Sequence, residues 1–178
     1  EEQISSYVEA MSLEDKVAGL FIITPEQLTG VETAVQAGES TKEALEHYPV
    51  GGLVYFARNI QSDNQLREML ANTASYSRYP LFLGVDEEGG QVARVAKALG
   101  LENVGPMAEI GASGNVDAAY EAGAAIASYL KEYGFNLDFA PVADVLTNPD
   151  NTVIGDRSFG SDPVLVSQMV AAAVQGLQ

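Results

Sequence analysis

The sequence predicts an α/β protein with a parallel sheet covered by helices. Four short apolar runs alternate with longer amphipathic stretches along the 178 residues, and hydrophobic residues make up 47% of the chain. Near-continuous apolar runs are typical of parallel strands buried on both faces. Strict alternation of strands and helices favours right-handed crossovers within one sheet. The chain is long enough for one sizeable core, but shorter than the ~250 residues typical of a complete (β/α)₈ barrel.

The apolar runs give the predicted strands, which are Gly19–Thr24, Gly51–Ala57, Pro80–Asp86 and Phe135–Ala140. The predicted helices are Ile4–Lys16 as two short helices, Thr41–His47, Ser62–Arg78, Val116–Tyr133 and Pro163 to about Leu177. Ser12 with Asp15 is typical of a helix start, Gly134 of a helix end, and Pro163 of a first turn. Periodicity does not choose between an open doubly wound sheet and part of a (β/α)₈ barrel.

Composition excludes several classes of function. Nine Lys and Arg against 25 Asp and Glu give a net charge of −16, which disfavours nucleic-acid and anionic-membrane partners. No apolar run approaches the ~18 residues that a membrane span requires. There is no cysteine and the one histidine, His47, is expected to be exposed at a helix end. We therefore predict neither a metal site nor a cofactor. The compartment stays open, with a slight preference for export.

The third predicted strand runs into the acidic segment Asp86-Glu87-Glu88, which Gly89-Gly90 and Arg94 follow. Acidic residues that directly follow a buried strand are energetically costly unless they are solvated, ion-paired or engaged with a ligand. Strand geometry would place Asp86 and Glu88 on one side and Glu87 on the other. One interpretation is a salt-bridged turn. The other is a carboxylate that accepts hydrogen bonds from sugar hydroxyls, with Arg94 assisting.

The fourth predicted strand is followed by Asp144 and then by Gly155-Asp156-Arg157. An arginine beside an aspartate in a loop that begins with glycine suits bidentate recognition of vicinal hydroxyls or of a carboxylate. The structural alternative is that Arg157 braces the long loop against Asp144 or Asp156. Dinucleotide-binding, phosphate-binding and serine-nucleophile motifs are absent from the sequence.

Four segments together resemble glycoside hydrolase family 3, and within it the β-N-acetylhexosaminidase branch. They read MSLEDKVAGLFII, YPVGGLVYFARNI, PLFLGVDEEGGQVARV and GFNLDFAPVADVLTNPDNTVIGDRSFGSDP. They contain that family's D-x-E-G-G, F-A-P-V-x-D and I-G-x-R-S-F motifs in order. The resemblance implies an N-terminal helix and the first four βα units of a (β/α)₈ barrel, so we expect residues 1–178 to form one incomplete barrel domain.

The resemblance also implies roles for individual residues. Asp86 matches a residue that binds hydroxyls of the non-reducing-end sugar, and Arg94 and Arg157 match arginines that contact the same sugar. Asp144 matches an aspartate that organises the loop. Glu87 stands where relatives often have Gln, and it is expected either to alter pocket preference or to face solvent.

The family's retaining mechanism needs an Asp nucleophile and an acid/base group. In relatives both lie beyond the segment that matches Asp162-Pro163, so no residue of this chain is predicted to be catalytic. We expect a fragment of a hydrolase that acts on β-linked N-acetylglucosamine or β-glucoside substrates, and we expect the isolated chain to be inactive. The alternatives are a non-catalytic carbohydrate-binding module and an unrelated open-sheet protein that binds a small metabolite.

Half of a barrel would leave strands one and four unpaired on one side and would uncover the inward-facing side chains. The candidates for uncovered side chains are Phe21 or Ile22, Val54 or Tyr55, Phe82 or Leu83, and Leu137 or Phe139. Two copies related by a two-fold axis could pair these strands and rebuild eight. The predicted partners are therefore a carbohydrate and a second copy of the chain in a homodimer of half barrels.

Overall fold

The computed structural model describes residues 2–178, with side chains from residue 4 onward. The chain divides into two compact units. The first runs up to Gly84 and includes Gly134–Leu137, and the second comprises Val85–Tyr133 and Asp138–Gln178. The domain assignment made from the sequence stays a prediction.

The first unit contains most of the N-terminal elements. In chain order they are α1 (Glu2–Glu9), α2 (Leu13–Ala18), β1 (Ile22–Ile23), α3 (Pro25–Thr29), α4 (Glu39–His47), β2 (Gly52–Tyr55), a 3₁₀ turn (Ala57–Asn59), α5 (Asp63–Tyr76) and the start of β3 (Phe82–Val85). Ser12 caps α2 as predicted, since its Oγ accepts the Asp15 N–H at 3.0 Å. His47 is the last residue of α4 and is exposed, which confirms the prediction for it.

The second unit contains the remaining elements. They are β4 (Glu87–Gly89), β5 (Val92–Ala93), α6 (Arg94–Leu99), α7 (Met107–Ser113), α8 (Val116–Tyr133), the end of β6 (Leu137–Asp138), a 3₁₀ turn (Gly155–Arg157) and α9 (Pro163–Leu177). Asp162 caps α9 by accepting the Val164 N–H at 2.9 Å, and Pro163 opens the helix as predicted. The sequence predicted neither the β4–β5 hairpin nor α6 and α7.

The main sheet has the strand order β1-β2-β3-β6, so the strands follow one another in sequence as predicted. Strands β1 and β2 are parallel, with Ile22 opposite Gly52 and Ile23 opposite Leu53. Asn136 joins the last strand to β3, because its Oδ1 accepts the Leu83 N–H at 2.8 Å and its Nδ2 donates to the Leu81 carbonyl at 2.9 Å. This sequential order places the carboxyl ends of β3 and β6 side by side.

Each unit has its own buried side chains. In the first, Leu45, Leu53 and Leu66 are fully buried, and the hydroxyl of the buried Tyr55 donates to Thr73 Oγ1 at 3.1 Å. In the second, α8 packs against α9 around Ala119, Met169 and Ala173. Gly123 of α8 allows this close approach, since a Cβ there would overlap the Ala173 carbonyl oxygen.

Several apolar side chains in the strands or directly next to them are exposed. The exposed fractions are 55% for Phe21, 38% for Ile22, 53% for Phe82 and 46% for Phe139, whereas Tyr55 and Leu83 are buried. Of the four candidate pairs named from the sequence, three thus have an exposed member: Phe21 and Ile22 in the first pair, Phe82 in the third and Phe139 in the fourth. Among the described residues, no helix is long and apolar enough to cross a membrane.

Candidate functional site

The candidate site lies in the second unit, at the carboxyl ends of β3 and β6. Asp86 follows β3 directly, and Asp138 is the last residue of β6. Two hydrogen bonds hold these ends together: the Glu87 N–H donates to Asp138 Oδ1 at 2.9 Å, and the Phe139 N–H donates to the Val85 carbonyl at 2.9 Å. Side chains that follow the two strands therefore meet at one edge of the sheet.

Arg94 lies beside Asp86, and the sugar-binding roles assigned to these two residues stay predictions. Its Nη2 is 3.7 Å from Asp86 Oδ2, which is an ion pair without a hydrogen bond. The side chains are 32% and 29% exposed, so solvent or a ligand can reach both. Within the described part of the chain, the buried Arg94 Nε has no hydrogen-bond partner. The pair thus retains donors and acceptors for a further ligand.

Arg157 makes a bidentate pair with Glu88. Its Nε donates to Glu88 Oε2 at 2.8 Å and its Nη2 to Oε1 at 2.7 Å, and Nη1 donates to the Val153 carbonyl at 3.1 Å. The hydrogen bond to Glu88 and the nearby charge of Asp86 raise the pKa of Arg157. A guanidinium has five N–H donors, so two remain for a ligand after these three bonds.

The structural alternative for Arg157 named the wrong partner. Arg157 braces against Glu88, and not against Asp144 or Asp156. Asp156 Oδ1 instead accepts from Gln91 Nε2 at 2.8 Å. Glu88 is 4% exposed in its side chain, and a carboxylate so deeply buried is costly unless it is paired or hydrogen-bonded. The sequence could not identify this pair, because 69 residues separate its members.

Glu87 is fully buried, which contradicts the expectation that it faces solvent. Its carboxylate accepts the Val95 N–H at 2.7 Å, the Ala96 N–H at 2.9 Å and the Tyr129 hydroxyl at 2.8 Å. Burial and the charge of Glu87 raise the pKa of Tyr129, so its hydroxyl keeps its proton. Three neutral donors thus solvate the carboxylate in place of water.

Asp138 is the most perturbed acid of the site. Its pKa is raised to about 7: burial is the largest cause, the charges of Glu87, Asp86 and Glu88 raise it further, and the hydrogen bond from the Glu87 N–H opposes the shift. Its Oδ2 is buried and has no hydrogen-bond partner among the described residues. A carboxyl oxygen without a donor is better accommodated as O–H than as O⁻.

Gly89 and Gly90 permit the turn between β4 and β5. Their φ angles of 91° and 55° are unfavourable for other residues. A Cβ on Gly89 would lie 2.6 Å from Val104 Cγ2, so the backbone also passes close to its neighbour. Asn103 fixes the turn by accepting the Gly90 N–H at 2.8 Å and donating to the Gly90 carbonyl at 2.9 Å.

The loop after β6 is held by hydrogen bonds to main-chain carbonyl groups, which the sequence did not indicate. The hydroxyl of the buried Ser158 donates to the Asp144 carbonyl at 2.6 Å, and the Leu146 N–H donates to the Gly160 carbonyl at 2.9 Å. Asp144 therefore contributes to the loop structure through its backbone carbonyl, and the loop-organising role assigned to its side chain stays a prediction. Among the residues the structure describes, no group of three acidic or histidine side chains is arranged to hold a metal ion.

A sheet with sequential strand order and charged residues gathered beyond its strands is consistent with an α/β fold of the (β/α)₈ barrel type. The family description "Glycosyl hydrolase family 3 N terminal domain" matches residues 12–178. The chain therefore belongs to glycoside hydrolase family 3. Within that fold, the chain corresponds to the first four βα units of the barrel and a helix that precedes them.

Curated relatives support the same branch of the family. The β-hexosaminidase LpqI of Mycobacterium tuberculosis is 35% identical over 171 residues, and β-hexosaminidase A of Pseudoalteromonas piscicida is 36% identical over 145 residues. These alignments cover 94% and 76% of this chain. The chain spans 40% and 24% of the length of those two relatives.

Solved structures agree with the fold. A glycoside hydrolase family 3 β-N-acetylglucosaminidase from Paenibacillus sp. superposes with a TM-score of 0.78 at 34% identity, over 95% of this chain and 31% of that chain. The structure of LpqI from M. tuberculosis superposes with a TM-score of 0.77 at 31% identity, over 96% of this chain and 46% of that chain.

Proposed function

We propose that this chain supplies sugar-binding residues to a retaining glycosidase that acts on β-linked N-acetylglucosamine or β-glucosides. The observation that carries the proposal is the cluster of Asp86, Arg94 and Arg157 beyond β3 and β6, with Arg94 3.7 Å from Asp86. The relatives named as β-hexosaminidases support the choice of an amino sugar.

The proposed division of roles follows from donor and acceptor chemistry. Asp86 is an acceptor and can take hydrogen bonds from two neighbouring sugar hydroxyls. The remaining N–H groups of Arg157 and those of Arg94 can donate to hydroxyl oxygens of the same ring. These interactions orient the sugar, while retaining chemistry also requires a nucleophile and an acid/base group. We assign neither group to a residue of this chain.

Activity measurements test the proposal. The purified 178-residue chain should not turn over aryl β-N-acetylglucosaminides, whereas the full-length product of the gene should. In the full-length protein, Asp86→Ala and Arg157→Ala should weaken sugar binding, and Asp150→Ala on the exposed loop should not. Turnover by the isolated chain that Asp86→Ala abolishes would contradict the assignment. Sugar binding by a full-length product without turnover would instead support a carbohydrate-binding module.

We further propose that the isolated chain forms a homodimer of half barrels. The exposed Phe21, Phe82 and Phe139 support it, because fully burying one such side chain contributes ~1.5–3 kcal/mol. Light scattering on the purified chain should give twice the monomer mass, and the dimer should dissociate only on unfolding. A stable monomer with protected amides in β1 and β6 would refute the pairing.

A further inference from the structure

We propose that Glu87 is a positioning residue that sets the spacing between Asp86 and Arg94. This role deepens the proposed function, because it rests on those two side chains binding the sugar. Glu87 follows Asp86 directly in the chain and is 0% exposed. It therefore cannot contact a ligand itself, and it acts through its neighbours.

The carboxylate of Glu87 holds the beginning of α6. Helix α6 starts at Arg94, and the next two residues, Val95 and Ala96, donate their N–H groups to Glu87 at 2.7 and 2.9 Å. The first N–H groups of a helix have no partner inside the helix and need an external acceptor. Glu87 supplies that acceptor, and in doing so it fixes the position of the backbone that carries Arg94.

The backbone of Glu87 is held equally firmly. Its N–H donates to Asp138 Oδ1 at 2.9 Å, and Glu87 is paired with Ala93 in the antiparallel β4–β5 ladder. Asp86 is thus joined to Glu87 by a peptide bond. Arg94 lies between Ala93 and Val95, and Glu87 is paired with the first and hydrogen-bonded to the second. The 3.7 Å separation between Arg94 Nη2 and Asp86 Oδ2 is set by these contacts.

An amide cannot replace this carboxylate without loss. Oε2 accepts from Val95, and Oε1 accepts from both Ala96 and Tyr129. A Gln side chain has one oxygen and one NH₂ group. In either orientation the NH₂ group would face a buried backbone N–H, which would then lack an acceptor. Both oxygens of Glu87 are therefore required as acceptors in this chain.

The test compares Glu87→Gln with the wild-type protein by amide hydrogen exchange. Protection of the Val95 and Ala96 amides should fall on the order of tenfold to a hundredfold, while amides in α9 stay unchanged. A crystal structure of the variant should have the Arg94–Asp86 pair separated beyond 4.0 Å. Glu121→Gln removes an exposed carboxylate from α8 and is the matched control, with no effect on either measurement.

Kinetics of the full-length protein separate positioning from mere stability. Glu87→Gln should raise KM several-fold with little change in kcat, because Asp86 and Arg94 bind the sugar in ground and transition states alike. A purely structural role would lower the active fraction and leave KM unchanged. Failure of the wild-type protein to turn over any aryl glycoside would overturn the proposed function, but the exchange and distance results would still decide the role of Glu87.

Tyr129→Phe serves if Glu87→Gln does not fold, since it removes one of the three donors and keeps the carboxylate. It should shift the same two amides and KM in the same direction by a smaller factor. Unchanged protection at Val95 and Ala96 in the variants that fold, together with an unchanged Arg94–Asp86 distance, would overturn the proposal.

Discussion

Replacing Asp138 by Asn should make the stability of the chain less dependent on pH. Burial, together with the charges of neighbouring carboxylates, raises the pKa of Asp138 from 3.8 to about 7 in the folded chain. Between these values the folded state binds a proton that the unfolded state does not, so this group makes stability fall as pH rises from about 4 to about 7. Asn carries no titrating proton, and its Oδ1 can still accept the Glu87 N–H.

The shift of about three pKa units corresponds to ~4 kcal/mol at ~1.4 kcal/mol per unit. The Nδ2 group of Asn brings two buried N–H donors where protonated Asp138 has one O–H, and the additional unsatisfied donor would cost ~1–3 kcal/mol at every pH. The free energy of unfolding of Asp138→Asn, relative to that of the wild type, should therefore increase by up to ~4 kcal/mol from pH 4 to pH 8. The curves should cross, with the variant less stable at the acidic end and more stable at the basic end.

Urea unfolding followed by circular dichroism at several pH values measures this difference. Asp150→Asn, which removes a carboxylate from an exposed loop position, provides the control and should change the midpoint little. A carbon-13 titration of the Asp138 carboxyl should give a pKa near 7 directly. A difference between Asp138→Asn and wild type that stays constant from pH 4 to pH 8 would refute the reasoning.

Two further predictions concern other parts of the chain. Glu26 accepts from the Ala34 N–H and from Asn59 Nδ2; burial alone would raise its pKa, but its hydrogen bonds lower the pKa to about 2. The stability that ionised Glu26 contributes is present above pH 4.5 and is lost as pH falls through 2. Glu26→Gln should therefore lower the free energy of unfolding by ~1–3 kcal/mol at pH 7 and by less at pH 2.5, as measured by urea unfolding. Gly123→Ala should cost ~1–3 kcal/mol in thermal unfolding because its methyl group would overlap the Ala173 carbonyl, and an unchanged melting temperature would contradict this packing.

The elements that could be predicted from the sequence are those with their own periodic pattern. The four strands and the long helices α5, α8 and α9 carry apolar residues at regular spacing, and all were placed within a few residues. Helix α6 has only six residues, and its N-terminal amides are satisfied by Glu87, eight and nine positions earlier. Such a helix depends on a tertiary contact, so local pattern does not indicate it.

The candidate site divides in the same way. Asp86, Arg94 and Arg157 could be named because they follow predicted strands and match family motifs, and their sugar-binding roles stay predictions. The environments of Glu87 and Glu88 could not be predicted, since their partners Tyr129 and Arg157 lie 42 and 69 residues away. One signal was present: three successive acids after a buried strand require three separate means of compensation.

Those three means determine what kind of ligand the cluster can accept. Glu88 is neutralised by Arg157, Glu87 is solvated by neutral donors, and Asp86 has Arg94 at 3.7 Å. Three carboxylates against two guanidinium groups leave a net charge of −1, to which Asp138 adds a further −1 once it ionises near pH 7. A local field of this sign opposes phosphorylated or carboxylated ligands. It does not oppose a neutral ring whose hydroxyls donate to Asp86 and accept from the free N–H groups of the arginines, and this supports a neutral sugar as the ligand.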